Sequence, residues 1–292
     1  MGKIRILRLM VIFLGVPTLA QEAAYRNAQL LIETPELAAR LADPQLRLLD
    51  ARPAAEYQRG HLPGALNLPA PATDNLDANR RGYPLPLERA KELFRPAGIN
   101  ADSQIVVYDD QGNRFAARLF YVLEFFGAGH VQVLDGGFRK WQSEGMPLTS
   151  EVSNVAPGNF SPLPQGNILV TSQWLATHLH DVKIVDARSP EEFRGEKRLG
   201  PRGGHIPGAV NIEWTRVDAS GGVPTFLGPA PLEQLFGSAG VTPKQEVVAY
   251  CQMGMRAAAI YFALRLLGYE RVRLYDGSWE DWSSQPQLPV EP

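Results

Sequence analysis

The sequence has almost no cysteine. Its 292 residues include one, Cys251, which excludes an internal disulfide and every paired-cysteine metal or redox motif. The five histidines show no metal-ligand cluster. The sequence also has no large excess of positive or negative charge. Its net charge of −2 gives no reason to expect nucleic acid or a membrane surface as a partner. We therefore expect no metal ion and no other cofactor.

The amino terminus lacks an apolar run long enough to span a bilayer comfortably, but it resembles a targeting segment. Three basic residues precede the apolar run Leu9–Leu19, and Thr18-Leu19-Ala20 is a plausible cleavage site. We predict a signal peptide over residues 1–20 and export to the periplasm, with no stable membrane contact after its removal. An uncleaved anchor and a cytoplasmic protein are the alternatives.

What the sequence does contain is a long internal repeat. Four blocks of the first half return in the same order in the second half, at offsets of 136 to 144 residues. The pairs are Leu48–Arg52 with Ile184–Arg188, Gly60–Asn67 with Gly204–Asn211, Val106–Arg114 with Val248–Arg256, and Leu134–Trp141 with Tyr275–Trp282. So long a period indicates two copies of one domain rather than a solenoid. We assign residues 27–142 to an N-terminal domain, 143–167 to a linker rich in Pro, Gly, Ser and Asn, and 168–292 to a C-terminal domain.

Each copy alternates short apolar runs with helical patterns. In the first copy Leu46–Asp50, Ile105–Tyr108 and Val131–Leu134 predict strands, whereas Pro35–Leu41 and Ala116–Phe126 predict helices. Strands that alternate with helices are typical of a parallel sheet with both faces covered. The sequence therefore predicts an α/β protein of two tandem domains, each a parallel sheet with helices on both faces.

The single cysteine lies between a predicted buried strand, Val247–Tyr250, and a predicted helix, Ala257–Leu267. In α/β sheets this edge is where ligands bind, and the N-terminus of a helix favours anions such as a thiolate. The first copy has Asp109 where the second has Cys251. Because a carboxylate cannot do thiolate chemistry, we expect the first domain to be chemically silent.

These features resemble the tandem-domain rhodaneses, the thiosulfate and 3-mercaptopyruvate sulfurtransferases. The resemblance runs from about residue 27 to the C-terminus and depends on the duplicated Asp-Ala-Arg and His-x-Pro-Gly-Ala-x-Asn blocks, the Cys-x-x-Gly-x-Arg loop and the closing Asp-Gly-Ser-Trp. It implies two tandem rhodanese-like domains, of which the C-terminal one is catalytic. It also implies a double displacement, in which the Cys251 thiolate takes the outer sulfur of thiosulfate, sulfite leaves, and cyanide or a thiol accepts the sulfur from the persulfide.

The resemblance further implies a substrate-binding loop after Cys251. We expect the backbone N–H groups of this loop to hold the persulfide anion, and its members are Gln252, Met253, Gly254, Met255 and Arg256. Gly254 suits a loop that needs unusual backbone angles. Arg256 supplies a positive charge in the first helical turn, where it is disfavoured unless an anion faces it.

Two further arginines are candidates for binding the anionic end of the donor. Arg188 follows a strand end, although Arg52 repeats it in the silent domain, so that a structural role is equally open. In related enzymes a second arginine lies shortly downstream, and Arg194 is our candidate, with Arg198 and Arg202 as competitors.

Other activities remain open at this point. Mercaptopyruvate enzymes typically carry Cys-Gly-Ser-Gly, whereas Met253 here replaces the serine, which favours thiosulfate as donor. 3-Mercaptopyruvate stays an alternative because Leu288–Pro292 resembles some bacterial members of that branch. Phosphatases of this fold need five residues between cysteine and arginine, and this chain has four. A non-turnover sulfur carrier or redox sensor is the remaining alternative. For the sulfurtransferase we expect a monomer whose partners are a small-molecule sulfur donor, thiosulfate or 3-mercaptopyruvate, and a thiophilic acceptor.

Overall fold

The chain forms two five-stranded sheets, one in each predicted domain. The structure is a computed structural model that describes residues 24–75, 77, 82–219 and 221–292, so the predicted signal peptide lies outside it. All strand pairs are parallel, and the strand order is β1-β5-β4-β2-β3 in the first sheet and β6-β10-β9-β7-β8 in the second. The two orders are the same when the second copy is aligned on the first. Within the described residues, no helix is long and apolar enough to cross a membrane.

The first domain alternates strands and helices along the chain. Its strands are β1 (Leu31–Ile32), β2 (Leu46–Asp50), β3 (Leu66–Asn67), β4 (Gln104–Tyr108) and β5 (Val131–Leu134). Its helices are α1 (Thr34–Arg40), α2 (Ala54–Arg59), α3 (Leu87–Phe94), α4 (Arg114–Phe125) and α5 (Gly137–Ser143). The predicted elements are confirmed, with ends that differ by two residues or fewer.

The second domain repeats this order. Its strands are β6 (Leu169–Val170), β7 (Lys183–Asp186), β8 (Val210–Asn211), β9 (Val247–Tyr250) and β10 (Val272–Tyr275). Its helices are α6 (Ser172–Thr177), α7 (Pro190–Phe193), α8 (Pro229–Ser238), α9 (Ala257–Leu266) and α10 (Ser278–Ser284). A 3₁₀ turn, Trp214–Val217, packs against α9.

The predicted linker is an irregular segment that follows the surface of the first domain. Thr149 pairs with His61 through two backbone hydrogen bonds, and the N–H of Phe160 donates to the carbonyl of Ile99. The N–H of Leu163 donates to the carbonyl of Phe126 at the end of α4. These bonds fix the linker to the first domain, which its composition alone does not indicate.

The two domains pack through α4 and α9. Phe120 meets Phe262 edge to face with ring centroids 4.8 Å apart, and Tyr121 meets Tyr261 in the same way at 5.1 Å. One buried apolar cluster runs through both domains, so the contact is a continuous core. Because each of these helices follows the central strand of its sheet, their packing brings the two strand-to-helix loops close to the domain boundary.

Candidate active site

Cys251 lies at the carboxyl end of β9, the central strand of the second sheet. The four residues of β9 are fully buried, as expected for an apolar run covered on both faces of a sheet. Residues 251–256, which we call the catalytic loop, connect β9 to α9. The cysteine itself is 1% exposed. The redox-sensor alternative assumes an exposed thiol, and this burial counts against it.

The catalytic loop is held by the first residues of α10. The N–H groups of Cys251 and Gly254 both donate to Ser278 Oγ at 3.0 Å, and this hydroxyl donates to the carbonyl of Tyr275. In the opposite direction, the N–H groups of Trp279 and Glu280 donate to loop carbonyls. The backbone around the thiol is therefore fixed before any substrate binds.

Gly254 is required by both its backbone angle and its surroundings. Its φ is +78°, and a Cβ atom there would lie 1.9 Å from Asp276 Oδ1. Asp276 lies fully buried beneath the loop and accepts a hydrogen bond from Arg118 of the first domain. Burial raises the pKa of Asp276 to about 7, although the charge of Arg118 opposes that rise.

The loop after β4 in the first domain corresponds to the catalytic loop and binds a carboxylate. In place of a thiol, the carboxylate of Asp109 accepts four backbone N–H groups, from Gln111, Asn113, Phe115 and Ala116. Loop amides that follow the central strand of this fold thus converge on a negative charge at the cysteine position. In the first domain, the side chain of Asp109 therefore occupies these loop amides.

In the catalytic loop the corresponding amides are only partly engaged. At the offset of 142 residues, Gln111 and Phe115 correspond to Met253 and Ala257. Within the described part of the chain, the N–H groups of these two residues have no acceptor, and neither do those of Gln252 and Arg256. The expectation for Gly254 and Met255 is corrected, because their N–H groups already donate to Ser278 Oγ and to the carbonyl of Met253.

The side chains of the loop point in different directions. Gln252 donates through Nε2 to the carbonyl of Leu199 and to Glu280, so its side chain fixes a neighbouring loop. Met253 is 36% exposed and forms part of the rim, whereas Met255 packs against the main core. The side-chain nitrogen of Gln252 is thus engaged, whereas the side chain of Met253 stays exposed beside the loop.

Arg256 forms an ion pair that the sequence does not indicate. Both terminal nitrogens of its guanidinium bond to the carboxylate of Glu192 in α7, at 2.7 and 2.8 Å. The Glu192 side chain is 2% exposed. Burial acts to lower the pKa of Arg256, but the bond to Glu192 and the charge of Cys251 raise it overall. Arg256 therefore stays charged beside the thiol, with its charge largely balanced by Glu192.

The other predicted arginines either have protein partners or lie on the surface. Arg188 is buried against Asp186 and Trp279 and also donates to the carbonyl of Gly204, an arrangement that favours its structural role. Arg194 is exposed and pairs with Glu196 on the surface. Arg202 donates to four backbone carbonyls, and Arg198 is exposed. The geometry thus gives no support to Arg188 or Arg202 as donor ligands.

Sequence reasoning missed the contribution of the first domain to this site. Gly82 lies against the backbone of Met253, and the ring of Tyr83 lies against Gly277. Arg114, the first residue of α4, stacks on Trp214 of the second domain with its guanidinium carbon 5.4 Å from the ring centroid. The repeat itself carried a signal, because Arg114 aligns with Arg256. No group of three or more metal-ligand side chains occurs among the residues that the structure describes.

A comparison with family models finds a rhodanese-like domain twice in the chain, over residues 33–144 and 171–285. The chain is 38% identical over 271 residues to a protein of Azotobacter vinelandii named thiosulfate sulfurtransferase, covering 91% of this chain and 98% of that protein. It is also 38% identical over 283 residues to a probable 3-mercaptopyruvate sulfurtransferase of Pseudomonas aeruginosa, covering 90% of this chain and 98% of that protein.

Among solved structures, a 3-mercaptopyruvate sulfotransferase of Escherichia coli superposes with a TM-score of 0.78 at 29% identity. The match covers 86% of this chain and 98% of that chain. The duplicated sheets thus form an architecture that the Escherichia coli protein shares.

Proposed function

The chain belongs to the rhodanese family, and on this premise we propose that it is a sulfurtransferase that moves sulfur from thiosulfate to cyanide or a thiol through a persulfide on Cys251. The observation that carries the proposal is the pair of matched loops. One holds the carboxylate of Asp109 on four amides, and the other presents Cys251 at the same position with amides still free.

Cys251 carries the sulfur between the two half-reactions. The Cys251 thiolate attacks the outer sulfur of thiosulfate, a sulfur–sulfur bond to the cysteine forms, and the bond within thiosulfate breaks. Sulfite leaves with the electron pair of that bond, and a persulfide anion stays on Cys251. Cyanide then attacks the terminal sulfur, thiocyanate leaves, and the thiolate is restored.

The free amides of the catalytic loop act on the persulfide stage. Its terminal sulfur carries a full negative charge in a site that is largely closed to water, where preorganised N–H groups stabilise an anion strongly. Arg256 adds a cation whose position is fixed by Glu192. These groups stabilise the persulfide form of the enzyme until the acceptor binds.

3-Mercaptopyruvate is the second candidate donor, and the relative in Pseudomonas aeruginosa supports it. The chain lacks the serine typical of that branch, because Met253 occupies the position with an exposed thioether. Thiosulfate releases sulfite, which needs no proton in order to leave. Thiosulfate therefore fits the loop better.

The test is steady-state sulfur transfer to cyanide with thiosulfate and 3-mercaptopyruvate as parallel donors, and Cys251→Ser as control. We expect turnover that depends on Cys251 and a higher kcat/KM for thiosulfate. A higher kcat/KM for 3-mercaptopyruvate would move the assignment to that donor. Uptake of one sulfur on Cys251 without turnover would overturn the enzyme and favour a carrier. Export to the periplasm and the monomeric state stay predictions.

A further inference from the structure

We infer that Arg114, a residue of the silent domain, binds the anionic end of the sulfur donor, so that the site is assembled from both domains. This inference rests on the proposed sulfur transfer and concerns which groups recognise the donor. The class of donor it selects is a small oxyanion with its charge next to the transferable sulfur, such as thiosulfate.

The position of Arg114 follows from the geometry of α4. Arg118, one turn further along, bonds to Asp276, which lies directly beneath Gly254 of the catalytic loop. Residues four apart share one face of a helix, so Arg114 and Arg118 lie on the same side of α4. The face of α4 that contacts the catalytic loop therefore begins with Arg114.

The second domain fixes the loop that carries Arg114. Asn113 donates through Nδ2 to the carbonyl of Pro224 at 2.7 Å and to Asp218 at 3.3 Å. The Arg114 guanidinium lies over the ring of Trp214. The backbone N–H of Trp214 donates to the carbonyl of Ala187 at the end of β7. Since β7 is paired with β9, this stack lies beside the strand that ends at Cys251.

Among the residues that the structure describes, Arg114 is the one half-buried or buried arginine with a shifted pKa that bonds to no carboxylate. Each of the others bonds to at least one, and the pairs are Arg52 with Asp50, Arg118 with Asp276, Arg188 with Asp186, Arg256 with Glu192 and Arg265 with Glu124. Arg114 Nε is buried and has no hydrogen-bond partner among the described residues, as is also true of Nε in Arg118 and Arg265. The nearby carboxylate of Asp109 is engaged by four amides.

The charges around Arg114 point to the same site. Burial lowers its pKa, as does the charge of Arg256, whereas the charges of Asp109 and Cys251 act to raise it. Because the charges of Arg256 and Cys251 both affect the Arg114 guanidinium, Arg114 lies within electrostatic range of the reacting group. An incoming anion would satisfy its unpartnered Nε and relieve the repulsion from Arg256.

The experiment compares Arg114→Met with the wild-type protein, because methionine keeps an apolar chain against Trp214 and removes the charge. In a double displacement, kcat/KM for thiosulfate reports the loading of Cys251, and kcat/KM for cyanide reports its unloading. We expect the first to fall by about 10- to 100-fold, the loss expected for one or two charge-assisted hydrogen bonds, and the second to change by less than about threefold. Inhibition by sulfite, the leaving group, should weaken in parallel with loading.

Two further variants keep the result interpretable. Arg114→Lys retains the charge without the planar fork and should recover part of the loading rate. Arg59→Met removes an exposed arginine of the same domain and should leave both constants unchanged. Loading and sulfite inhibition equal to those of the wild type in Arg114→Met would overturn the role of Arg114 alone. Failure of the wild-type protein to take up sulfur from thiosulfate, followed by mass spectrometry, would overturn the sulfur transfer and with it the donor that Arg114 is inferred to bind.

Discussion

Ser278 distinguishes the catalytic domain from its silent copy. Its hydroxyl accepts the N–H groups of Cys251 and Gly254, whereas the first domain has Gly137 at the corresponding position. There the carboxylate of Asp109 binds the loop amides directly. Ser278 fixes a different pair of loop amides, those that correspond to Asp109 and Gly112, so the backbone next to Cys251 is held without the cysteine side chain.

This difference predicts the effect of Ser278→Ala. The change leaves two buried N–H donors without an acceptor, each at a cost of about 1–3 kcal/mol. We expect the free energy of unfolding to fall by about 2–4 kcal/mol, and kcat/KM for thiosulfate to fall as the thiol loses its fixed position. Urea unfolding and steady-state kinetics measure the two effects.

Ser284→Ala is the matched control, because Ser284 is exposed near the end of the same helix and bonds only to a local carbonyl. It should change the free energy of unfolding by less than about 0.5 kcal/mol. A Ser278→Ala variant with wild-type stability and kinetics would show that the two amides do not depend on this hydroxyl.

At the scale of elements, Arg256 and Glu192 join α9 to α7. Helix α7 has only four residues and begins with a capping box in which Ser189 and Glu192 exchange hydrogen bonds. Glu192 therefore both caps its own helix and fixes the arginine next to Cys251. Burial alone would raise the pKa of Glu192, but the bond to Arg256 lowers it overall.

Breaking this pair should separate stability from catalysis. Arg256→Met leaves the buried Glu192 carboxylate unpaired, and we expect it to lower the free energy of unfolding by about 3 kcal/mol. Adding Glu192→Gln removes the stranded charge and should recover most of this loss. Sulfur transfer from thiosulfate should stay low in the double variant, because the cation beside Cys251 is still missing. Wild-type kcat/KM in the double variant would instead make Arg256 purely structural.

The elements that the sequence predicts are those with enough residues to show a period. Strand β9 is a continuous apolar run, and α9 is a run of helix formers that Gly268 ends at a φ of +82°. The two-residue strands β1 and β6 show no periodicity. Helices α5 and α10 escape notice because each begins in a glycine-containing turn, where Gly137 and Ser278 have positive φ.

The functional site likewise contains residues that the sequence can predict and residues that it cannot. The place of Cys251 could be predicted because it depends only on the strand and helix on either side of it. The roles of Glu192 and Ser278 could not, since each bonds to the loop from a segment distant in sequence. Arg114 belongs to the first domain, and only its alignment with Arg256 marks it in the sequence. The sequence leaves the role of Arg188 open, and the structure pairs it with Asp186 two residues away, as Arg52 pairs with Asp50 in the first domain.

At the scale of the whole molecule, the first domain adjoins the catalytic loop. Arg118 bonds to Asp276 beneath the loop, and the Gly82–Tyr83 segment lies against Met253 and Gly277. On the inference above, Arg114 also binds the donor, so the activity of the second domain depends on its copy. The domain boundary is also where buried carboxyl groups gather, and these make the assembly sensitive to pH.

Three carboxyl groups at this boundary have raised pKa values. Burial is the main cause for Asp135, at about 6, for Asp276, at about 7, and for Asp218, at about 8. Nearby Asp109 and Asp135 raise the pKa of Asp218 further, whereas its hydrogen bond from Asn113 lowers it. In an unfolded chain an aspartate titrates near pH 4. Between about pH 4 and 8 the folded protein thus holds protons that the unfolded chain has released, so its stability must fall as pH rises through this window.

Asp218→Asn should remove part of that dependence. The amide keeps an oxygen for Asn113 and carries no charge to bury, so we expect the variant to gain on the wild type progressively from pH 5 to pH 8. At pH 8 the difference should reach about 1–2 kcal/mol after solvent screening, or about 2–8 °C in Tm for a chain of this size. Asp102→Asn, at an exposed position, should follow the wild-type curve at every pH. Thermal melting in matched buffers measures the differences, and an Asp218→Asn curve parallel to the wild type from pH 5 to pH 8 would mean that the domain boundary does not hold this proton.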